Sequence, residues 1–168
     1  MRPFLYLSLS ALSVLSGCAP EQEQVPLPEL NATFYQDHVH PIARFSCASL
    51  ECHGVDGRAL RLYAEDGLRA QAALRGQDLS ADEVAANVAA FAGIDPMLAG
   101  VPELVSAHIA LTKPLNVDAG GLSHVSGDVE VWADTNDPAY RCMRGWLAGD
   151  LSVAAACDEA ALALDPRP

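Results

Sequence analysis

Lysine is almost missing from this chain: Lys113 is its single representative, and 10 basic residues stand against 22 acidic ones, for a net charge of −12. So acidic a surface excludes the phosphate-neutralising contacts on which nucleic-acid binding rests, and it excludes adsorption to anionic lipid. An electrostatically steered partner protein has to be basic at its contact. Long apolar runs are missing too. The one extended apolar stretch, residues 4–15, falls short of the ~20 residues that cross a bilayer core. The chain has no internal repeat, nucleophile elbow, metal-ligand helix or glycine-rich phosphate loop. Hydrolytic chemistry therefore lacks its sequence signatures, and no substrate is named.

The N-terminus carries one cation, Arg2, then the apolar run, then small residues. This is the layout of a secretory signal peptide over residues 1–17. Leu15-Ser16-Gly17-Cys18 resembles the lipobox of bacterial lipoproteins. That resemblance implies a diacylglycerol on the Cys18 thiol, cleavage just before it, and an acyl chain such as palmitate on the new amino group. Several chains on one residue anchor a protein in a lipid bilayer where one alone is marginal, each buried methylene contributing ~0.8 kcal/mol. Ala19 and Pro20 follow, with no Asp after the cysteine, which resembles outer-membrane rather than inner-membrane sorting. Losing Arg2 takes the exported side chains to −13, that is, −12 less one cation. Residues 18–32, rich in Pro, Glu and Gln, read as a lipidated cysteine and flexible tether, and residues 33–165 as one domain.

Periodicity predicts a mostly α fold with long loops. A helix is expected over 34–45, bent or restarted at Pro41. Residues 59–63 alternate apolar and polar, as in a short extended stretch. Ser80 and Glu83 form a capping box for a helix over 81–91, and Pro102 sits at a first-turn position for another over 102–111. Residues 114–137 form a long loop with one short β-hairpin. Asp137-Pro138 opens a helix to Ala148 with Tyr140, Met143 and Leu147 on one stripe, and Ser152 opens an Ala-rich final helix. Export places the cysteines in an oxidising compartment. With Cys18 set aside, spacing pairs Cys142 with Cys157 as a disulfide closing a loop of about fifteen residues, although four cysteines allow three connectivities.

Cys47-Ala48-Ser49-Leu50-Glu51-Cys52-His53-Gly54 carries the chemistry. Two cysteines followed at once by histidine suit covalent c-type haem, each thiol adding to a vinyl group and the imidazole reaching the iron. The spacing is four residues where two is usual. A Cys47–Cys52 disulfide in a haemless binding or structural lipoprotein, and a zinc site on Cys47, Cys52 and His53, stay open beside it.

The segment Phe34-Tyr35-Gln36-Asp37-His38-Val39-His40-Pro41-Ile42, followed by Cys47 and Cys52-His53-Gly54, resembles the opening of the planctomycete-type cytochrome c domain, also found in myxobacterial lipoproteins. The same family's order continues in Leu111-Thr112-Lys113-Pro114, Gly120-Gly121-Leu122-Ser123-His124, Asp137-Pro138-Ala139-Tyr140-Arg141 and Trp146-Leu147-Ala148-Gly149, so the likeness spans residues 33–149. The loop reads His124-Val125-Ser126-Gly127 where the family often has His-Gly-Gly-Gly. The resemblance implies a small cytochrome c-like domain holding one haem c on Cys47 and Cys52, and electron transfer to redox partner proteins rather than catalysis. It makes His53 the proximal iron ligand and His124 the distal one, with Met143, Met97 and His108 as alternatives. Arg58, Arg61, Arg69 and Arg75 are candidate partners for the haem propionates.

Overall fold

The computed structural model describes residues 26–124 and 131–165. The signal peptide, Cys18, the first part of the tether, and residues 125–127 of the expected His loop lie outside these residues.

Pro41 shapes the first helical stretch. Without an N–H it cannot close an i→i−4 bond, and the chain widens just ahead of it. Helix α1 (Ala32–Phe34) runs into a π-helical turn (Tyr35–Val39) in which the His40 N–H reaches the Tyr35 carbonyl, and α2 (His40–Ser46) then resumes. The expected restart is therefore a π-bulge. The capping box forms as expected, with the Glu83 N–H donating to Ser80 Oγ and the Ser80 N–H donating to Glu83, and α3 (Ala81–Ile94) runs on past Phe91.

The helix expected over 102–111 is replaced by a turn, a 3-10 turn (Val105–Ala107) and a short α4 (Ile109–Thr112). The break falls at His108, whose ψ of 133° is extended. Its ring accepts from the Ala110 N–H at 3.1 Å, while Asp95 accepts from the Ile109 N–H at 2.6 Å. Two caps thus start a new helix where one continuous helix was expected. Asp137 caps α5 (Pro138–Ala148) as expected. A 3-10 turn (Leu151–Val153) capped by Asp150 leads into α6 (Ala154–Leu164). Cys142 of α5 and Cys157 of α6 are joined by a disulfide, with Cα atoms 4.8 Å apart.

Nothing among the described residues forms the expected hairpin. Leu115 and Trp132 instead make a single parallel bridge. The Pro114 carbonyl accepts from the N–H groups of both Val131 and Trp132, and proline has no N–H with which to extend a ladder. Tyr63 and Leu68 form a second isolated bridge. About half of the structure is helical, so the mostly α expectation holds. The last part of the expected tether is not free: Leu30 packs against the core, and the Asn31 carbonyl accepts from the Trp146 indole at 3.0 Å.

The core is centred on Tyr35, Phe91 and Trp146, whose rings lie 5.1–6.1 Å apart, an ordinary spacing for aromatic pairs. Two polar groups organise it. Asn87, fully buried, donates to the Tyr35 hydroxyl and exchanges hydrogen bonds with the Tyr63 backbone in both directions. The Glu83 carboxylate, also fully buried, takes a two-pronged bond from Arg69 at 3.0 and 2.8 Å and a third from the Ala70 N–H at 2.8 Å. Arg69 donates its remaining N–H groups to the carbonyls of Leu74, Gln77 and Asp78.

The Arg69 guanidinium holds the Glu83 carboxyl well below its ordinary 4.5, at about 2. A depressed folded value means that the unfolded chain binds the proton more tightly, so this contribution is complete above the ordinary carboxylate range and is lost as pH falls towards 2. Glu83→Gln is expected to cost about 3–5 kcal/mol in urea unfolding at neutral pH, because it strands a buried guanidinium, and to flatten the acid limb of the stability profile. Removing the disulfide with Cys142→Ala and Cys157→Ala together is expected to cost roughly 3 kcal/mol, from the loop it closes.

Candidate functional site

The Cys-His segment is folded by its own backbone. Beyond α2 the chain turns back on itself: the Cys47 and Ala48 N–H groups donate to the Ala43 carbonyl, the Cys52 and Gly54 N–H groups to the Ser49 carbonyl, and the His53 N–H to the Cys47 carbonyl at 2.9 Å. Gly54 allows this closure. A Cβ there would stand 2.1 Å from the Ala48 oxygen and 2.8 Å from that of Ser49, distances no side chain survives. The glycine after the histidine is therefore a close-approach residue.

His53 is half-buried, and its Nδ1 donates to the Leu60 carbonyl at 2.8 Å. That bond fixes the tautomer and leaves Nε2 as the lone-pair nitrogen, the arrangement by which a second partner orients a ligand histidine. The next turn is locked as well, since the Leu62 N–H donates to the His53 carbonyl. Burial lowers the pKa of His53, against the pull of the Leu60 bond, and the nearby charges of His124, Arg58 and Lys113 lower it further. The ring is thus held neutral, as metal ligation requires.

A second imidazole stands beside it. The His53 and His124 rings are nearly parallel, 17° apart, with centroids separated by 6.0 Å. Imidazole–metal bonds of about 2.0–2.1 Å on both sides of one ion place the ring centres roughly 6 Å apart. The loop that delivers His124 depends on Gly121, where a Cβ would meet the Leu115 oxygen at 1.8 Å, and on the Leu122 N–H donating to the Thr112 carbonyl at 2.7 Å. The other expected ligands are engaged differently. Met143 is buried in the core, Met97 is 67 % exposed on the turn after α3, and His108 caps α4 from a fully buried position.

Cys47 and Cys52 are free thiols and are not joined to each other. Burial, and after it the neighbouring Cys52, pushes the Cys47 thiol up to about 12. No group of three or more His, Cys, Asp or Glu side chains among the described residues is arranged to hold a metal ion, so the zinc reading gains no geometry. Two thiols, a neutral histidine with an oriented lone-pair nitrogen and a parallel second histidine form a donor set that fits a c-type haem. Two surface clefts among the described residues are lined by other side chains, Pro41, Phe45 and Leu162 among them in one and Ala48, Leu50 and Ala64 in the other.

Of the arginines expected at propionates, Arg69 is consumed by Glu83, and Arg61 pairs with Asp56 at the surface. Arg58 stays exposed, at hydrogen-bond distance from the Glu51 carbonyl. The sequence reading missed the Leu60 carbonyl, which no residue type announces. It also missed the His40–Glu65 pair, which fastens the loop beyond the segment to α2 at 3.0 Å. Burial acts to raise the Glu65 carboxyl, but bonds from His40 and from its own backbone outweigh that and hold it at about 2. No family model, curated protein or solved structure matches the chain.

A fully buried thiol with a raised pKa is a poor nucleophile. In folded chain made without haem, Cys52 is expected to react with iodoacetamide at pH 8 at least tenfold faster than Cys47, read by peptide mass. Equal rates would show that the segment is open.

Proposed function

We propose that the chain is an exported, lipid-anchored monohaem c-type cytochrome, an electron carrier rather than a catalyst. The observation that carries this reading is the parallel pair of His53 and His124 rings at 6.0 Å, with His53 oriented by the Leu60 carbonyl. The two-ended resemblance to planctomycete-type cytochrome c domains supports it from the sequence.

When bound, haem c supplies a one-electron iron couple. The protein's own parts follow from their positions. Cys47 and Cys52 would hold the group covalently through their thiols. His53 is the proximal donor, kept neutral by burial and aimed by Leu60. His124 is the distal donor, and an imidazole there sets a lower potential than a methionine would. Gly54 and Gly121 keep the two backbones close enough for both rings to arrive. Cys18 acyl chains hold the domain at a membrane face, with the outer membrane as the preferred address. The acidic exterior selects redox partners that are basic at the contact.

The full chain coexpressed with a haem-attachment system is expected to gain the mass of one haem on a peptide containing Cys47 and Cys52, and to show a Soret band. His124→Ala should keep the covalent mass while converting the spectrum from low to high spin, and His53→Ala should abolish the low-spin spectrum. A chain that folds with Cys47 and Cys52 free, or joined in a disulfide, under those conditions would overturn the proposal and favour the haemless lipoprotein.

A further inference from the structure

The run from Leu60 to Tyr63 belongs to no strand, and Tyr63 makes only an isolated bridge with Leu68. Its backbone is nonetheless bonded on both sides. Towards the histidine, the Leu60 carbonyl accepts from His53 Nδ1 at 2.8 Å and the Leu62 N–H donates to the His53 carbonyl at 2.8 Å. Towards α3, both backbone groups of Tyr63 are taken by one side chain. The Tyr63 N–H donates to Asn87 Oδ1 at 2.8 Å, and Asn87 Nδ2 donates to the Tyr63 carbonyl at 2.9 Å. A side-chain amide that accepts from the N–H and donates to the carbonyl of one residue does for it what a hydrogen-bonded pair does in an antiparallel ladder.

Packing alone does not account for an asparagine at this position. The core-facing stripe of α3 carries Glu83, Val84, Asn87 and Phe91, and a polar group buried there costs stability unless it is bonded. Asn87, 0 % exposed, meets that condition in full, with its other Nδ2 hydrogen on the Tyr35 hydroxyl at 3.1 Å. The buried side chains of Leu60 and Leu62 fix where the run lies. Apolar burial has no direction, however, so the way the carbonyls of the run point is set by its hydrogen bonds. Asn87 clamps the two peptide groups that flank the Tyr63 Cα, three residues from the carbonyl that aims His53. The clamp stands on α3, which its own capping box fixes at the start.

We infer that Asn87 is a positioning residue for His53: by holding both peptide groups of Tyr63 it sets the direction of the Leu60 carbonyl, and through it the tautomer and orientation of the imidazole. Only the further role of that ring as an iron ligand rests on the cytochrome reading.

The test uses the full chain folded without haem, with 15N in its histidines, at pH 8, where the lowered pKa of His53 leaves it neutral. Long-range 1H–15N spectra distinguish a protonated ring nitrogen from a bare one, and His53→Gln assigns the signal by its loss. The unaltered chain is expected in the Nδ1–H form. Asn87→Leu keeps the bulk and removes the amide. It is expected to lower the ratio of the Nδ1–H to the Nε2–H form about fivefold, the hold of one neutral hydrogen bond; Asn87→Ser takes its place if the leucine variant does not fold. Tyr35→Phe is the control, because it removes a bond from the same amide without touching residues 60–63. It is expected to lower stability while the ratio stays within twofold. A folded Asn87 variant whose ratio matches that of Tyr35→Phe overturns the inference. In protein shown by mass to carry covalent haem, Asn87→Leu is expected to raise the reduction potential, since the Leu60 bond makes the ligand more basic, and Tyr35→Phe to leave it in place. A chain that takes up no haem overturns the cytochrome reading alone, because the tautomer ratio decides the role of Asn87 without it.

Discussion

The carboxylate of Glu83 is the point on which the middle of this molecule hangs. Between α2 and α3 the chain travels from residue 47 to residue 80 with only one 3-10 turn, Ala72–Leu74, as regular structure. Such a stretch has few ladders in which to bury its backbone N–H and carbonyl groups. One ion pair does much of that work. Glu83 gathers the N–H groups of Ala70 and Ser80 and the Arg69 guanidinium, and Arg69 gathers three carbonyls from residues 74–78. Because Glu83 is also the capping residue of α3, the loop and the helix that ends it share one fastening.

The two halves of the site are built by the same device on opposite sides. On one, the backbone of residues 47–54 folds so closely that residue 54 has no room for a side chain; on the other, residue 121 has none against Leu115. Each tight turn puts a histidine within reach of the other without a helix or sheet to carry it. The price is conformational entropy, offset by the core of Tyr35, Phe91 and Trp146 packed behind α1–α2, α3 and α5.

Much of the scaffold was legible because its signals are local. Ser80 with Glu83 and Asp137 with Pro138 each settle structure within a turn or two of themselves, and Cys142 and Cys157 lie on consecutive helices only fifteen residues apart. The break at His108 was not legible, since half of its cause is the Asp95 carboxylate arriving from the end of α3. Nor could the sequence sort four arginines: Arg69 looks like its neighbours until Glu83, fourteen residues on, is folded against it. In the site, the residue types at 47, 52, 53 and 124 were readable, but their orientation rests on the Leu60 carbonyl, and backbone acceptors carry no letter of their own.

The Trp146–Asn31 bond has a mechanical meaning. The residues ahead of α1 do not leave the domain from a loose end; they leave beside the most buried indole, on a helix cross-linked to α6. A pull along residues 26–30 is therefore met first by α5 and the disulfide behind it. Strain entering along that line reaches the aromatic core of Tyr35, Phe91 and Trp146 before it can reach the loop of Cys47 and His53, so a load on the N-terminal side falls first where the domain is cross-linked.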